Sequence, residues 1–285
     1  MRKSLMFGVS FFFSLQNYKN FFTNNTFLQK KQHIYLYFRL NLCTFASELV
    51  KNMDTSTLID IDCELLLWFN GSDSLFLDGL VKTLTTAVTW VPLYVSLLYL
   101  VLKNNDNLKK VLLIVSCAAL CVFLAGSLND MFVKPWVARW RPTHDPVIGY
   151  VVDVVNDYRG GDHGFFSSHA ANTFSLAVFF SLLVRSRVLT IGLVFWSLVN
   201  CWTRMYLGVH FPGVIVCGLL WGGLVGTAIW YFYLRMRRIL SPAPGFISSQ
   251  YTSTGYMLTD VDVVITVLTA TFIYAILRGC FYLYV

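Results

Sequence analysis

The sequence predicts an all-α integral membrane protein, a six-helix bundle with a preceding interfacial amphipathic helix. Of its 285 residues, 56% are hydrophobic and only 13% are charged, whereas soluble domains are closer to one quarter charged. Six apolar segments also approach the roughly 20 residues that cross a bilayer as a helix. These segments lie at about 80–102, 108–133, 169–184, 187–207, 212–234 and 261–283.

Three features refine this arrangement. Residues 58–69, LIDIDCELLLWF, mix acids with apolar residues, which favours an interfacial helix over a span. The segment at 169–184 is short for a span unless its helix begins at Ser167 or earlier. In the fifth segment, a stripe of glycines permits close helix approach, and we favour packing within the bundle over dimerisation. The stripe consists of Gly218, Gly222 and Gly226.

Basic loops predict the orientation of the chain. Lysines or arginines fill the loops after the first, third and fifth segments, and such loops belong on the cytoplasmic side. The loops at 134–168 and 204–211 then face outward together. The basic residues are Lys103, Lys109, Lys110, Arg185, Arg187, Arg235, Arg237 and Arg238.

The net charge of +7 does not indicate a nucleic-acid partner. Residues 1–52 hold seven Lys or Arg and one acid, whereas residues 53–285 hold fifteen and fourteen. The excess charge therefore belongs to the N-terminal segment. We hypothesise that residues 1–52 are upstream sequence and that the natural protein starts at Met53.

The two outward loops contain the polar residues that membrane packing does not explain. Each has an ordinary interpretation: a membrane anchor, a helix N-cap or an interfacial histidine. Together, however, they fall on one side of the membrane at the ends of three spans, where ionisable residues tend to mark sites. The stretches are KPWVARWRPTHDP with Lys134, Arg139 and Arg141, GFFSSHAANTF with Ser167, Ser168 and His169, and TRMYLGVHFPGV with Arg204 and His210.

This set of residues favours a phosphate ligand. Cations, hydroxyl groups and the N-terminus of a helix all stabilise bound phosphate. The two histidines further indicate a phosphoryl-transfer reaction, in which one histidine attacks phosphorus and the other protonates the leaving oxygen. No cysteine–histidine cluster has zinc spacing, and the sequence offers no acidic metal cage. We expect no cofactor.

The three stretches resemble the motifs of the type 2 phosphatidic acid phosphatase superfamily, K-x6-R-P, P-S-G-H and S-R-x5-H-x3-D. That family comprises membrane lipid phosphatases whose site is shared with vanadium haloperoxidases. Here KPWVARWRP matches the first motif in full, FSSH has Phe166 and Ser168 in place of Pro and Gly, and the third has Thr203 in place of Ser. The stretches SSHAANTF and GVHFPG look especially like the bacterial branch that includes undecaprenyl diphosphate phosphatases and lipid A phosphatases.

The resemblance implies a role for each matched residue. His210 would be the nucleophile that forms a phosphohistidine, and His169 the general acid. Lys134, Arg141 and Arg204 would hold the phosphate, with hydrogen bonds from Ser167 and from the Ser168 backbone. The site would act without metal at the outer, periplasmic face of a bacterial cytoplasmic membrane.

One departure concerns the aspartate that follows the nucleophile in the family, because Val214 occupies its position. That carboxylate orients the imidazole, and losing the comparable aspartate of serine proteases costs about 10⁴ in kcat. A catalytically impaired homologue that binds lipid phosphates is therefore the alternative. Another carboxylate or a backbone carbonyl could substitute; the acids of the first outward loop are Asp145, Asp153, Asp157 and Asp162.

These inferences divide the chain into three parts. They are an N-terminal extension at 1–52, a phosphatase-like membrane domain at 53–238, and a polar loop with a C-terminal transmembrane helix at 239–285. The expected partners are a lipid phosphate substrate and the membrane, with no nucleic acid; the lipid and the oligomeric state stay open. A transporter or channel is disfavoured, because such proteins show repeated halves with interrupted helices.

Overall fold

The computed structural model describes residues 55–240 and 249–282, and the predicted extension at 1–52 lies outside them. Within these residues there are eight helices and no strand beyond two isolated bridges, which confirms the all-α class. The helices are α1 Thr55–Phe69, α2 Leu75–Thr85, α3 Val91–Lys103, α4 Leu108–Val137, α5 Ser168–Val184, α6 Arg187–Tyr206, α7 Pro212–Leu240 and α8 Leu258–Tyr282.

Four of these helices, α4, α6, α7 and α8, are long and apolar enough to cross a membrane. Helix α5 is apolar but has only 17 residues, as the short segment at 169–184 suggested. Helices α2 and α3 together pass the same test but are bent by 66°. The six-span count therefore stays a prediction, whereas the helical membrane fold is clear.

The segment expected to be one span at 80–102 is broken between α2 and α3. Thr86 is extended, with φ −76° and ψ 124°. Pro92 lies in the first turn of α3, where the missing proline N–H is tolerated. The Trp90 indole, which is buried, donates to the Leu84 carbonyl at 2.8 Å. A carbonyl freed by the break is thus satisfied by a side chain.

Helix α1 contains the predicted interfacial segment at 58–69. Leu66 is fully buried, whereas Ile61, Leu65 and Trp68 are exposed, Trp68 by 77%. Because an exposed apolar face would be unfavourable in water, the interfacial placement stays the best interpretation of this helix.

Helix α4 extends beyond the predicted end of its span. It contains π-helical turns at Phe123–Ser127 and Asn129–Val133, a distortion that is frequent near functional sites. The helix then includes Lys134 and ends where Ala138 adopts a left-handed φ of 50°. Lys134 was expected to begin a loop, and that boundary was wrong, since Lys134 lies in the last helical part of α4.

The glycine stripe of α7 packs against α5, which confirms packing within the bundle. A Cβ on Gly218, Gly222 or Gly226 would lie 2.7, 2.5 or 2.5 Å from the backbone oxygens of Ser167, Ala171 and Ser175, respectively. Only glycine permits this approach of the two backbones. The contact sets the start of α5 beside the start of α7.

Replacing Gly222 with alanine should destabilise the protein. Alanine alone would favour the helix by up to about 1 kcal/mol, but overpacking against the Ala171 backbone should cost about 1–3 kcal/mol. We expect a lower melting temperature in detergent. Gly161→Ala is the control, because a Cβ there has nothing within 4 Å; equal melting of the two variants would contradict this packing.

Candidate active site

Arg141 is placed by two arms of the loop between α4 and α5. Trp140 and His163 form an antiparallel bridge, and the Arg141 amide donates to the Asp162 carbonyl at 3.0 Å. The Gly164 amide donates to the Arg139 carbonyl at 2.9 Å. These backbone bonds hold the arms together and aim the Arg141 side chain at the loop between α6 and α7.

His210 lies in that second loop and is only 2% exposed. Its Nε2 is 3.3 Å from Nη1 of Arg141, which also donates to the Val209 carbonyl. Because arginine only donates hydrogen bonds, this contact assigns the lone pair to Nε2 and the proton to Nδ1. The buried Nδ1 has no hydrogen-bond partner among the described residues.

The surroundings of His210 keep its imidazole neutral. Burial, followed by the charges of Arg141, Lys134 and Arg204, holds the pKa of His210 well below its ordinary value. Burial disfavours the charged form, and nearby cations disfavour it further. At neutral pH His210 therefore keeps its Nε2 lone pair, which accepts the Arg141 hydrogen bond in this structure and which a nucleophile would need.

Arg204 contributes a second guanidinium to the cluster, and this one is buried. It is 2% exposed and donates from Nη2 to the Thr85 carbonyl at 3.3 Å. The Nε groups of Arg204 and Arg141 are both buried without a partner in the described part of the chain. Since buried donors normally find acceptors, two such arginines are suited to an anion. Tyr158, which sequence reasoning missed, interacts with both arginines.

The start of α5 brings the serine pair to the same place. Ser167 is fully buried and caps the helix by accepting from the Ala170 amide at 3.5 Å. The Ser167 amide donates to the Val214 carbonyl at 3.4 Å, which ties the starts of α5 and α7 together. Ser168 lies in the first turn of α5, and its backbone N–H belongs to the N-terminal groups that favour anions.

A polar network lies under this helix start. The Ser168 hydroxyl donates to Oδ1 of Asp130 at 2.7 Å and accepts from the side-chain Nδ2 of Asn129 at 2.8 Å. Asp130 also pairs with Lys134, whose Nζ lies 2.5 Å from the same oxygen. Sequence reasoning missed Asp130, although its spacing of four residues from Lys134 on a helix was a usable signal.

His169 follows Ser168 and is exposed. The charges of Arg204, Lys134, Arg141 and Asp130 all act on its side chain, so it belongs to the same cluster. The structure thus brings all seven predicted residues to one end of the bundle.

Among the described residues, no carboxylate takes the place of the aspartate that the third motif lacks. Val214 is 1% exposed, and His210 has no hydrogen bond to any of the loop acids in the described residues. Three of these acids have other contacts: Asp145 accepts from the Val147 amide, Asp162 lies 3.8 Å from His144, and the Asp153 carboxylate lies against Gly71.

A metal centre and a separate cavity are the other features that could form a site in this fold. Within 55–240 and 249–282, no group of three or more His, Cys, Asp or Glu is placed to hold a metal ion. A cavity of about 680 Å³ is lined by residues of α2 and α8, with Lys82 and Arg278 among them, and by the start of α3. None of the seven predicted site residues lines that cavity, so it is separate from the cluster around His210.

Fold and site together define a helical membrane protein with a buried histidine surrounded by the cationic side chains of Arg141, Lys134 and Arg204. The model of the PAP2 superfamily matches residues 110–238. A lipid A 4'-phosphatase of Bacteroides thetaiotaomicron is 42% identical over 195 residues, covering 66% of this chain and 85% of that protein. A lipid A 4'-phosphatase of Porphyromonas gingivalis is 32% identical over 211 residues, covering 73% and 88%.

The chain therefore belongs to the PAP2 superfamily, as the three motifs predicted. It is a multi-pass membrane lipid phosphatase and hence, by reaction class, a phosphoric ester hydrolase. No solved structure matches the chain.

The buried neutral histidine predicts a pH dependence of stability. The pKa of His210 is lowered on folding, so its contribution to stability is present above the unfolded-state pKa of about 6.5 and is lost as pH falls below it. Between pH 7 and pH 5 the loss should be about 2 kcal/mol while the folded imidazole stays neutral. Melting in detergent should therefore fall more for the unmodified protein than for His210→Gln. Equal losses would contradict a neutral His210.

Proposed function

We propose that this phosphatase hydrolyses the 4'-phosphate of lipid A at the outer face of the cytoplasmic membrane, through a phosphohistidine on His210. The observation that carries the reaction is the buried His210, with Nε2 3.3 Å from the guanidinium of Arg141. The two relatives, which are both lipid A 4'-phosphatases, support this choice of substrate. Undecaprenyl diphosphate, which the motifs alone left open, serves as the competing substrate.

Phosphate binding would use donors that the protein leaves without acceptors. The Nε groups of Arg141 and Arg204 are buried and unpartnered in the described residues, and guanidinium donors match phosphate oxygens well. The start of α5 adds its N-terminal amides, with the Ser168 backbone among them. Lys134 adds a positive charge that Asp130 partly offsets.

The chemistry would proceed in two balanced steps. Nε2 of His210 attacks phosphorus, the bond from phosphorus to the lipid oxygen breaks, and His169 gives its proton to that oxygen. Water then attacks the phosphohistidine, the P–N bond breaks, and His169 takes the proton from water. Free phosphate leaves, and both histidines return to their starting states. The arginines stabilise the charge spread over the phosphoryl oxygens in both transition states.

The outward orientation rests on the distribution of charge along the helices. The basic residues Lys109, Arg185 and Arg187 lie at the opposite ends of α4, α5 and α6 from Lys134, Ser168 and Arg204. Basic loops favour the cytoplasmic side, so the site belongs on the other side. None of these steps uses a metal, and we expect activity to survive EDTA.

The central experiment measures phosphate release from lipid A 4'-phosphate by purified protein in detergent with EDTA. His210→Ala should lose at least about 10³-fold in turnover, because it removes the nucleophile. His169→Ala should lose about 10²–10⁴-fold, most with poor leaving groups. An acid-labile phosphoprotein should be trapped from the unmodified protein and be absent from His210→Ala.

His144→Gln is the matched control, since His144 lies in the same loop region but pairs with Asp162. It should retain turnover. Wild-type release from His210→Ala would overturn the nucleophile, and strict dependence on a divalent metal would overturn the metal-independent mechanism. Faster hydrolysis of undecaprenyl diphosphate than of lipid A would overturn the substrate.

Val214 supplies a second prediction. A carboxylate in Val214→Asp would accept a hydrogen bond from the unpartnered Nδ1–H and stabilise the charged imidazole, so turnover should rise by at least about tenfold relative to Val214→Asn. The asparagine variant matches the side chain in size without the charge. Turnover in Val214→Asp alone, with none in the unmodified chain, would support the impaired homologue. Equal turnover of the two variants would contradict a need for the carboxylate.

A further inference from the structure

Asp62, on the protein-facing side of α1, bridges two elements that carry the candidate site. Its Oδ1 accepts from the Gly213 amide at 2.6 Å, and its Oδ2 accepts from Nη2 of Arg139 at 2.9 Å. The Asp62 side chain is only 13% exposed. Charge-assisted bonds of this length are among the stronger ones in proteins, so this contact ties α1 to the site.

The first of these bonds caps α7. Pro212 opens the helix without an N–H, so Gly213 presents its first free amide donor. A carboxylate at that end also faces the positive end of the helix dipole. A Cβ on Gly213 would lie 3.1 Å from the same carboxylate oxygen, which shows how closely Asp62 approaches. Gly213 lies three residues after His210, so the cap acts directly beside the nucleophile loop.

The second bond acts on the other flank of His210. The Arg139 guanidinium lies 4.5 Å from the ring centre of Phe211, and Phe211 is buried next to His210 in the chain. The Arg139 carbonyl accepts from the Gly164 amide, and a Cβ on Gly164 would lie 3.5 Å from Nδ1 of His210. Asp62 thus contacts Gly213 directly and, through the Arg139 side chain, Phe211, the residue that follows His210.

His210 needs such support because no side chain holds its Nδ1 among the described residues. We propose that Asp62 is a positioning residue, which fixes the His210 loop through Gly213 and Arg139 and thereby orients the nucleophile without a carboxylate at position 214. This inference rests on the proposed function of His210. The opposite face of α1 exposes Ile61, Leu65 and Trp68. Asp62 therefore links a helix with an exposed apolar face to the loop of the nucleophile.

The test compares Asp62→Ala and Asp62→Asn with Glu64→Gln, an exposed acid on the same helix. Asp62→Ala should lower kcat by about 10- to 100-fold, with KM changed less than about threefold, because a misplaced nucleophile slows chemistry more than binding. Asp62→Asn should fall between, and Glu64→Gln should match the unmodified protein. The double variant that combines Asp62→Ala with Val214→Asp should have a kcat at least about tenfold higher than that of Asp62→Ala alone.

A second readout does not need activity. Hydrogen–deuterium exchange of a peptide covering residues 207–216 should be faster in Asp62→Ala than in Glu64→Gln, because the Gly213 amide loses its acceptor. Unchanged exchange would overturn the inference. Faster exchange with unchanged kcat would reduce Asp62 to a helix cap and overturn its positioning role.

Failure of the proposed function is distinguishable from failure of this inference. Turnover is measured with lipid A 4'-phosphate and with p-nitrophenyl phosphate. Hydrolysis of p-nitrophenyl phosphate alone would reject the lipid substrate and leave the Asp62 comparison intact. If the unmodified protein hydrolyses neither, the proposed function fails, and exchange alone decides whether Asp62 holds the loop.

Discussion

The close approach of α5 and α7 is the constraint on which the site depends. Gly218, Gly222 and Gly226 let backbone meet backbone along several turns, and at the end of this contact the Ser167 amide reaches the Val214 carbonyl. The first turn of α5, with Ser168 and His169, is therefore held beside the start of α7 and the loop that carries His210. A bulkier residue in the stripe would change the distance between His169 and His210 without altering either side chain.

The charges of the site serve two purposes at once. In the proposed mechanism Arg141 and Arg204 donate to the phosphate, and burial together with the same cations keeps the pKa of His210 low, so its imidazole stays neutral. Lys134 differs from the arginines because Asp130 already pairs with it. A carboxylate in that position limits the repulsion among three cations in a confined space, and it also accepts the hydroxyl of Ser168.

Sequence reasoning found the residues whose type and spacing carry chemistry. Lys134, Arg141, Arg204 and the two histidines stand out because they lie at the ends of apolar segments opposite to those that carry the basic loops. It missed Asp130 and Tyr158, and it took Asp62 as part of an amphipathic pattern. The partners of those residues come from distant parts of the chain, and a single sequence does not pair them. The break at Thr86 was missed for the same reason. The Leu84 carbonyl freed by the break accepts from the Trp90 indole, and the sequence alone does not pair these two residues.

Replacing a carboxylate by Val214 separates two tasks that one aspartate performs in the family pattern. One task is orientation of the imidazole, which here falls to backbone contacts, to Arg141 and to the bonds of Asp62. The other is stabilisation of the positive charge that forms when Nε2 attacks phosphorus, and no side chain takes it over in the described residues. In the proposed mechanism only the phosphate's own negative charge offsets that imidazolium. Because the phosphohistidine is then less stable than with a carboxylate, its formation is harder and its P–N bond breaks more readily. The valine thus moves the energetic difficulty toward the first step, whereas the rigid frame around His210 keeps that step geometrically possible.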